Sequence, residues 1–154
     1  MDHGVIECLG MEGAYVLDIL EDSVVYVSGP ADTTDAARAE ARAWLRSHGT
    51  AHVTMPNRLV DGSLSPDQQM RERIHELTKR DYSAKDGGLV RRPWYDLVVT
   101  LDGWKFSDVC NLEVDVARAC GIEVISFNKL RLKHWQEHRK MDEFLGKFKG
   151  AVNE

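Results

Sequence analysis

The sequence predicts a doubly wound α/β domain, and three observations lead there. Short runs of strand character recur at Val24–Ser28, Ala51–Met55, Leu97–Val99 and Ile122–Phe127. The segments between and after them carry apolar residues at three- and four-residue spacing, the mark of amphipathic helices. The run Leu97-Val98-Val99 is continuously apolar and bounded by the turn signal Asp102-Gly103, as expected of a parallel strand covered on both faces. Strands alternating with helices through right-handed crossovers give a sheet of order 2-1-3-4 with the first strand central.

This is a flavodoxin- or Rossmann-like arrangement, whose ligand crevice lies beyond the C-terminal ends of the strands, at the switch point between the first and third. The 154 residues suffice for one domain with a substantial core and are too few for two comfortable ones. They divide into an N-terminal extension at 1–22, the α/β domain at 23–128 and a C-terminal helix at 129–154 packed on the same domain. A net charge of −5, with both signs spread along the chain, argues against a nucleic-acid polymer as partner and leaves room for a small anion held locally. No apolar run approaches the roughly 18 residues that span a bilayer, and the N-terminus lacks the basic start and apolar core of a signal peptide, so no membrane partner and a cytoplasmic location are expected. Cys8, Cys110 and Cys120 show no CxxC spacing, and the six His residues show no HExxH pattern, so neither a disulfide framework nor a metal is expected.

In chain order, Ala14–Leu20 fits either a strand or a helical turn. Val24–Ser28 is β-branched and aromatic and runs into Gly29-Pro30. The helix after it is capped by Thr33 or Thr34 and continues to His48-Gly49. A strand, a Gly-containing loop and a helix N-terminus can hold an anion. Gly29-Pro30 nevertheless lacks both the G-x-G-x-x-G and the P-loop patterns, so no nucleotide cofactor of those classes is expected. Asn57 and Arg58 follow the second strand at the same edge of the sheet. Ser65-Pro66-Asp67 opens the next helix, with Met70, Ile74 and Leu77 on its apolar face, running to about Arg80. Residues 81–93 read as a long loop carrying Asp81, Tyr82 and Asp86.

After the Leu97–Val99 strand, Ser107 stands at a helix N-cap and Gly121 at the helix end. Val109, Leu112, Val116 and Cys120 form its predicted sheet-facing stripe, with Glu113 at the stripe's edge, near the crevice. The plain alternative for Glu113 is a carboxylate on the helix surface. In the last helix, Leu132, Trp135, His138, Met141, Leu145 and Phe148 fall on one face, suited to a core or a subunit interface.

Tyr26-Val-Ser28-Gly29-Pro30, Asn57-Arg58, and Asp96-Leu-Val-Val followed by Gly103-x-x-x-Ser107 and Glu113 together resemble the nucleoside 2-deoxyribosyltransferase superfamily over about residues 23–127. The spacing from Ser107 to Glu113 is similar to the nucleoside 5′-monophosphate N-glycosidase branch, which includes cytidine monophosphate hydrolases of nucleoside-antibiotic pathways. The Leu101-Asp-Gly-Trp104 variant looks closer still to a bacterial and phage relative of those enzymes. The resemblance implies that Glu113 is a nucleophile at the anomeric carbon, Tyr26 a tyrosine beside it, Ser107 a hydroxyl for the 5′-phosphate and Gly29 a close-approach glycine. Ser28 and Gly103 border that site, and Asn57, Arg58 and Trp104 are candidates for base contacts. A further acid should protonate the leaving base, with Asp81 and Asp86 both candidates. The implied protein is a homodimer without cofactor or metal, acting on a small nucleotide.

Three functions are thus expected in order: hydrolysis of a nucleoside or deoxynucleoside 5′-monophosphate to free base and sugar 5-phosphate, or transfer of the sugar to another base; nucleotide binding or sensing without turnover; and a structural or assembly module using the last helix.

Overall fold

The computed structural model of the protein describes residues 16–56, 65–81, 84–85, 88–89 and 92–152. Four parallel strands form the sheet: β1 (Val24–Ser28), β2 (His52–Thr54), β3 (Leu97–Thr100) and β4 (Glu123–Ser126), in the order β2-β1-β3-β4. Register runs Val25 opposite Leu97 through Ser28 opposite Thr100, and Leu97 opposite Glu123 through Thr100 opposite Ser126. Asp96 fixes the start of that register: its carboxylate accepts from the Val24 N–H at 2.8 Å, and its own N–H donates to the Val24 carbonyl at 2.8 Å.

Helices cover both faces. On one lie α1 (Val16–Leu20), α2 (Asp35–Ser47) and the start of α5 (Phe127–Val152); on the other lie α3 (Pro66–Leu77) and α4 (Asp108–Ala119). Successive strand residues point to opposite faces. Val25, Val27, Leu97 and Val99 accordingly join Val16, Leu20, Ala41, Leu45, Phe127 and Leu130 in one core, while Tyr26 and Val98 join Leu77, Tyr95, Ala117 and Ile122 in the other.

Local chemistry sets the helix ends. Thr34, of the two threonines, caps α2, its Oγ1 accepting from the Ala37 N–H at 3.1 Å. Ser65 and Gln68 form a reciprocal capping box at α3, with Pro66 at its first position. Ser107 caps α4 through the Cys110 N–H at 3.2 Å. Gly121, at φ 78°, follows its last turn.

One open reading is decided, and several expectations are corrected. The segment from Ala14 to Leu20, where described, is helical, and it belongs to the core: Val16 and Leu20 are fully buried, and Glu137 of α5 accepts from the Val16 N–H at 2.9 Å. The segment read as a loop at 81–93 contains two short antiparallel ladders, Arg80–Asp81 with Arg92–Pro93 and Ala84–Lys85 with Gly88–Leu89. Two-residue strands are too short to leave a periodic signal. Helix α3 stops at Leu77, short of Arg80, and α5 begins at Phe127, which had been read as strand.

The stripe of α4 is rotated by one residue. Cys110, Glu113, Val114 and Ala117 are buried, whereas Val109, Leu112, Val116 and Cys120 flank them, half-buried. Glu113 lies in the middle of the buried face. The predicted face of α5 is largely uncovered, with Leu132, Trp135, Met141 and Leu145 exposed.

Candidate active site

Glu113 is 1 % exposed, an unusual place for a carboxylate, and its surroundings explain how it is held. Tyr26 and Ser28, two residues apart on β1, face the same side of the sheet and both reach it. The Tyr26 hydroxyl donates to Glu113 Oε2, and Ser28 Oγ donates to Oε1 at 3.1 Å. Opposite them, Arg73 of α3 brings Nη1 to 3.5 Å from Oε1. Burial pushes the Glu113 pKa up, and the hydrogen bonds from Tyr26 and Ser28 and the charges of Arg73 and Arg38 offset this only in part. Burial and the neighbouring Glu113 push the Tyr26 phenol far above its ordinary value, so it stays protonated and remains a donor.

Behind this group, the Tyr95 ring meets Tyr26 edge-on, with centroids 5.3 Å apart at 82°. The Tyr95 hydroxyl bonds Thr54 Oγ1 at 3.0 Å and Glu76, which in turn meets Lys79 Nζ at 2.8 Å. Burial raises the Glu76 pKa, but the hydrogen bonds from Lys79 and Tyr95 more than offset it and hold the carboxyl below its usual range. Glu76 is therefore an ionised structural anchor and a poor proton donor.

A cavity of about 190 Å³ opens at the C-terminal edge of the sheet, lined by Gly29, Ala31, Pro66, Gln69, Met70, Arg73, Ser107 and Val109. Arg73 connects this cavity to Glu113. The first βα loop and the start of α4 thus meet across one crevice, as the topology predicts. Gly29 packs closely as well, since a Cβ there would lie 2.9 Å from Leu101 Cδ1 and the Leu101 side chain would have to shift. Arg38 ties the loop down, its Nη2 donating to the Pro30 carbonyl at 2.9 Å.

Glu113, Tyr26 and Ser28 are in direct contact, and Gly29 and Ser107 border the adjoining cavity. Gly103 and Trp104 do not join them: they line a separate cavity of about 160 Å³ with Leu101, Lys105, Ser126 and Asn128. Gly103 has φ 83° and starts the 3₁₀ turn Trp104–Phe106, so its role there is conformational. Asn57, Arg58, Tyr82 and Asp86 lie outside the described residues, and Asp81 is described for its backbone alone, paired with Arg92.

Sequence reasoning missed two residues. Arg73 carried no signal, being one charge among many on a polar helix. Thr100, opposite Ser28 in the register and 1 % exposed, has an Oγ1 without a hydrogen-bond partner among the described residues. Among the described residues there is no group of three or more His, Cys, Asp or Glu side chains that could hold a metal, and no helix long and apolar enough to cross a membrane. The chain matches no protein-family model, no curated protein and no solved structure.

Proposed function

We propose that the protein cleaves the N-glycosidic bond of a nucleoside or deoxynucleoside 5′-monophosphate, with Glu113 as nucleophile. One observation carries this reading: a buried carboxylate, gripped by Tyr26 and Ser28, stands next to a cavity at the switch point of a parallel sheet. Those residues coincide with the ones through which the sequence resembles the nucleoside 2-deoxyribosyltransferase superfamily.

In this reaction a Glu113 oxygen attacks the anomeric carbon as the bond to the base nitrogen breaks, its electron pair leaving with the base. The ionised carboxylate stabilises the developing oxocarbenium charge and forms a glycosyl-enzyme. The departing base takes a proton from a general acid, for which Asp81 and Asp86 are the candidates from the sequence. Water then attacks the same carbon, giving its proton to the acid that had protonated the base, as the bond to Glu113 breaks and restores its carboxylate, with sugar 5-phosphate as product. If a second base attacks instead of water, the outcome is deoxyribosyl transfer. Tyr26 and Ser28 aim the carboxylate, and Ser107 with the start of α4 takes the 5′-phosphate. The exposed apolar face of α5 suits a homodimer, and the cytoplasm is the expected setting for such a substrate.

A second reading, nucleotide binding without turnover, has its own support in the near-complete cover of Glu113 and its pairing with Arg73. The purified protein incubated with nucleosides and their 5′-monophosphates, with free base followed by chromatography, separates the two. Base release from monophosphates that falls about a thousandfold or more in Glu113→Gln is the expected result. No release from any of them, together with thermal stabilisation by a monophosphate, selects the binding protein.

A further inference from the structure

Glu113 presents a conflict. A nucleophile must be reached, yet this one is 1 % exposed, and one of the groups covering it is a cation. Tyr26 and Ser28 come from a central strand and are themselves buried, so neither moves without disturbing the core. Arg73 differs in each respect. It is a long side chain on a peripheral helix, 14 % exposed, and its approach to Glu113 is a single contact at 3.5 Å, the long limit of a charged hydrogen bond, without the bidentate geometry that makes such pairs strong. It also lines the cavity shared by Gly29 and Ser107.

We propose that Arg73 is a displaceable counter-ion: a phosphomonoester entering the cavity draws its guanidinium away from Glu113, so that the carboxylate is uncovered only when an anionic substrate is present. This rests on the N-glycosidic reading for its substrate, but the exchange itself is a property of the Arg73–Glu113 pair. A dianionic phosphate in the cavity offers the guanidinium two oxygens and a larger charge than one carboxylate, and the flexible stem lets it choose. Arg73 is in this scheme a positioning residue that makes turnover depend on the 5′-phosphate. An unphosphorylated nucleoside leaves Arg73 on Glu113 and reacts slowly.

The groups facing Glu113 are Tyr26 and Ser28 from β1, Arg73 from α3 and the more distant charge of Arg38 from α2, so its ionisation reports the exchange directly. The carboxyl carbon of Glu113 is titrated by carbon NMR in the wild type, Arg73→Gln and Arg73→Lys, each with and without ribose 5-phosphate. In the wild type the ligand is expected to raise the Glu113 pKa by about one unit, a tenfold change in its ionisation equilibrium. In Arg73→Gln the free protein should already show that rise, and the ligand should add less than half of it; Arg73→Lys, which keeps the charge without the two-oxygen grip, should respond to the ligand in the same direction but less than the wild type does. Identical titrations in the wild type and Arg73→Gln, a full ligand response in Arg73→Gln, or no ligand response in the wild type overturns the proposal.

Should Arg73→Gln not fold, the Arg73 guanidinium resonances of the wild type decide. They must move with ribose 5-phosphate in step with Glu113, and stationary signals overturn the exchange. Titrations that behave as expected in a protein releasing no base leave the exchange standing and remove the N-glycosidase reading. Base release with unresponsive titrations does the reverse.

Discussion

The two faces of one sheet are built from the same strands and differ in what they ask of them. On one face Val25, Val27, Leu97 and Val99 pack with apolar side chains from α1, α2 and α5. The other begins the same way, with Val98 against Ala117 and Ile122, and turns polar toward the C-terminal ends of the strands, where the Tyr26 hydroxyl, Ser28, Thr100 and Glu113 are all buried. Apolar burial stabilises at roughly 25 cal/mol per Å² without any geometric demand, whereas a buried carboxylate costs stability unless every lone pair finds a partner. The first face therefore holds the strands in place, and the second uses that rigidity to keep a costly group ordered. A group retained at such a cost is a functional candidate.

The largest expected effect would break this division if it failed. Leu97→Ala, at a residue 1 % exposed in the apolar core, is expected to lower unfolding free energy by about 3 kcal/mol, seen as a lower denaturant midpoint, while the molecules still folded keep their activity per molecule. Glu113→Gln should do the opposite, removing activity from a protein that remains folded. Equal stability losses from both substitutions would mean that Glu113 is simply another part of the core.

A smaller effect sharpens the same point through pH. Because burial raises the Glu113 pKa above its unfolded value near 4.5, the folded state binds this proton more tightly than the unfolded one. Its contribution to stability is fully present below that unfolded value and is lost as pH rises through the folded pKa. Glu113→Gln carries no such proton. The difference in unfolding free energy between variant and wild type should therefore grow in the variant's favour as pH rises from below that unfolded value through the folded pKa. A difference that shrinks over that range would mean that Tyr26, Ser28 and Arg73 hold the carboxylate more strongly than burial opposes it.

Much of the fold was legible because its signals are local. Leu97-Val98-Val99 declares a strand covered on both sides, and Ser65-Pro66 and Ser107 declare helix starts, each within a few residues. The phase of α4 was not legible. Glu113 counts as polar, so the apolar pattern pointed to Val109, Leu112 and Val116, one residue away from the true face. What turns Glu113 inward are partners 87, 85 and 40 residues distant, Tyr26, Ser28 and Arg73, and no window of sequence contains them together. Glu113 and Ser28 stood out through their place at the crevice and Tyr26 through family resemblance, whereas Arg73, with no motif around it, emerged only once α3 was packed against α4.

Thr100 offers the smallest and most discriminating test. It ends β3 opposite Ser28, and the alternation that turns Val98 toward Ala117 turns Thr100 to the same face. Its hydroxyl is buried without a hydrogen-bond partner among the described residues, and a buried donor left unmade costs about 1–3 kcal/mol relative to an apolar isostere. Thr100→Val keeps the shape and the β-branching and removes that hydroxyl. The expected outcome is a protein more stable by up to about 1 kcal/mol in denaturant unfolding. Val99→Thr, its neighbour on the apolar face, places a hydroxyl among apolar side chains and should lose stability by a comparable or larger amount. Stability lost in Thr100→Val would show that the hydroxyl is satisfied after all, and that the polar face costs the fold less than the geometry of Glu113 implies.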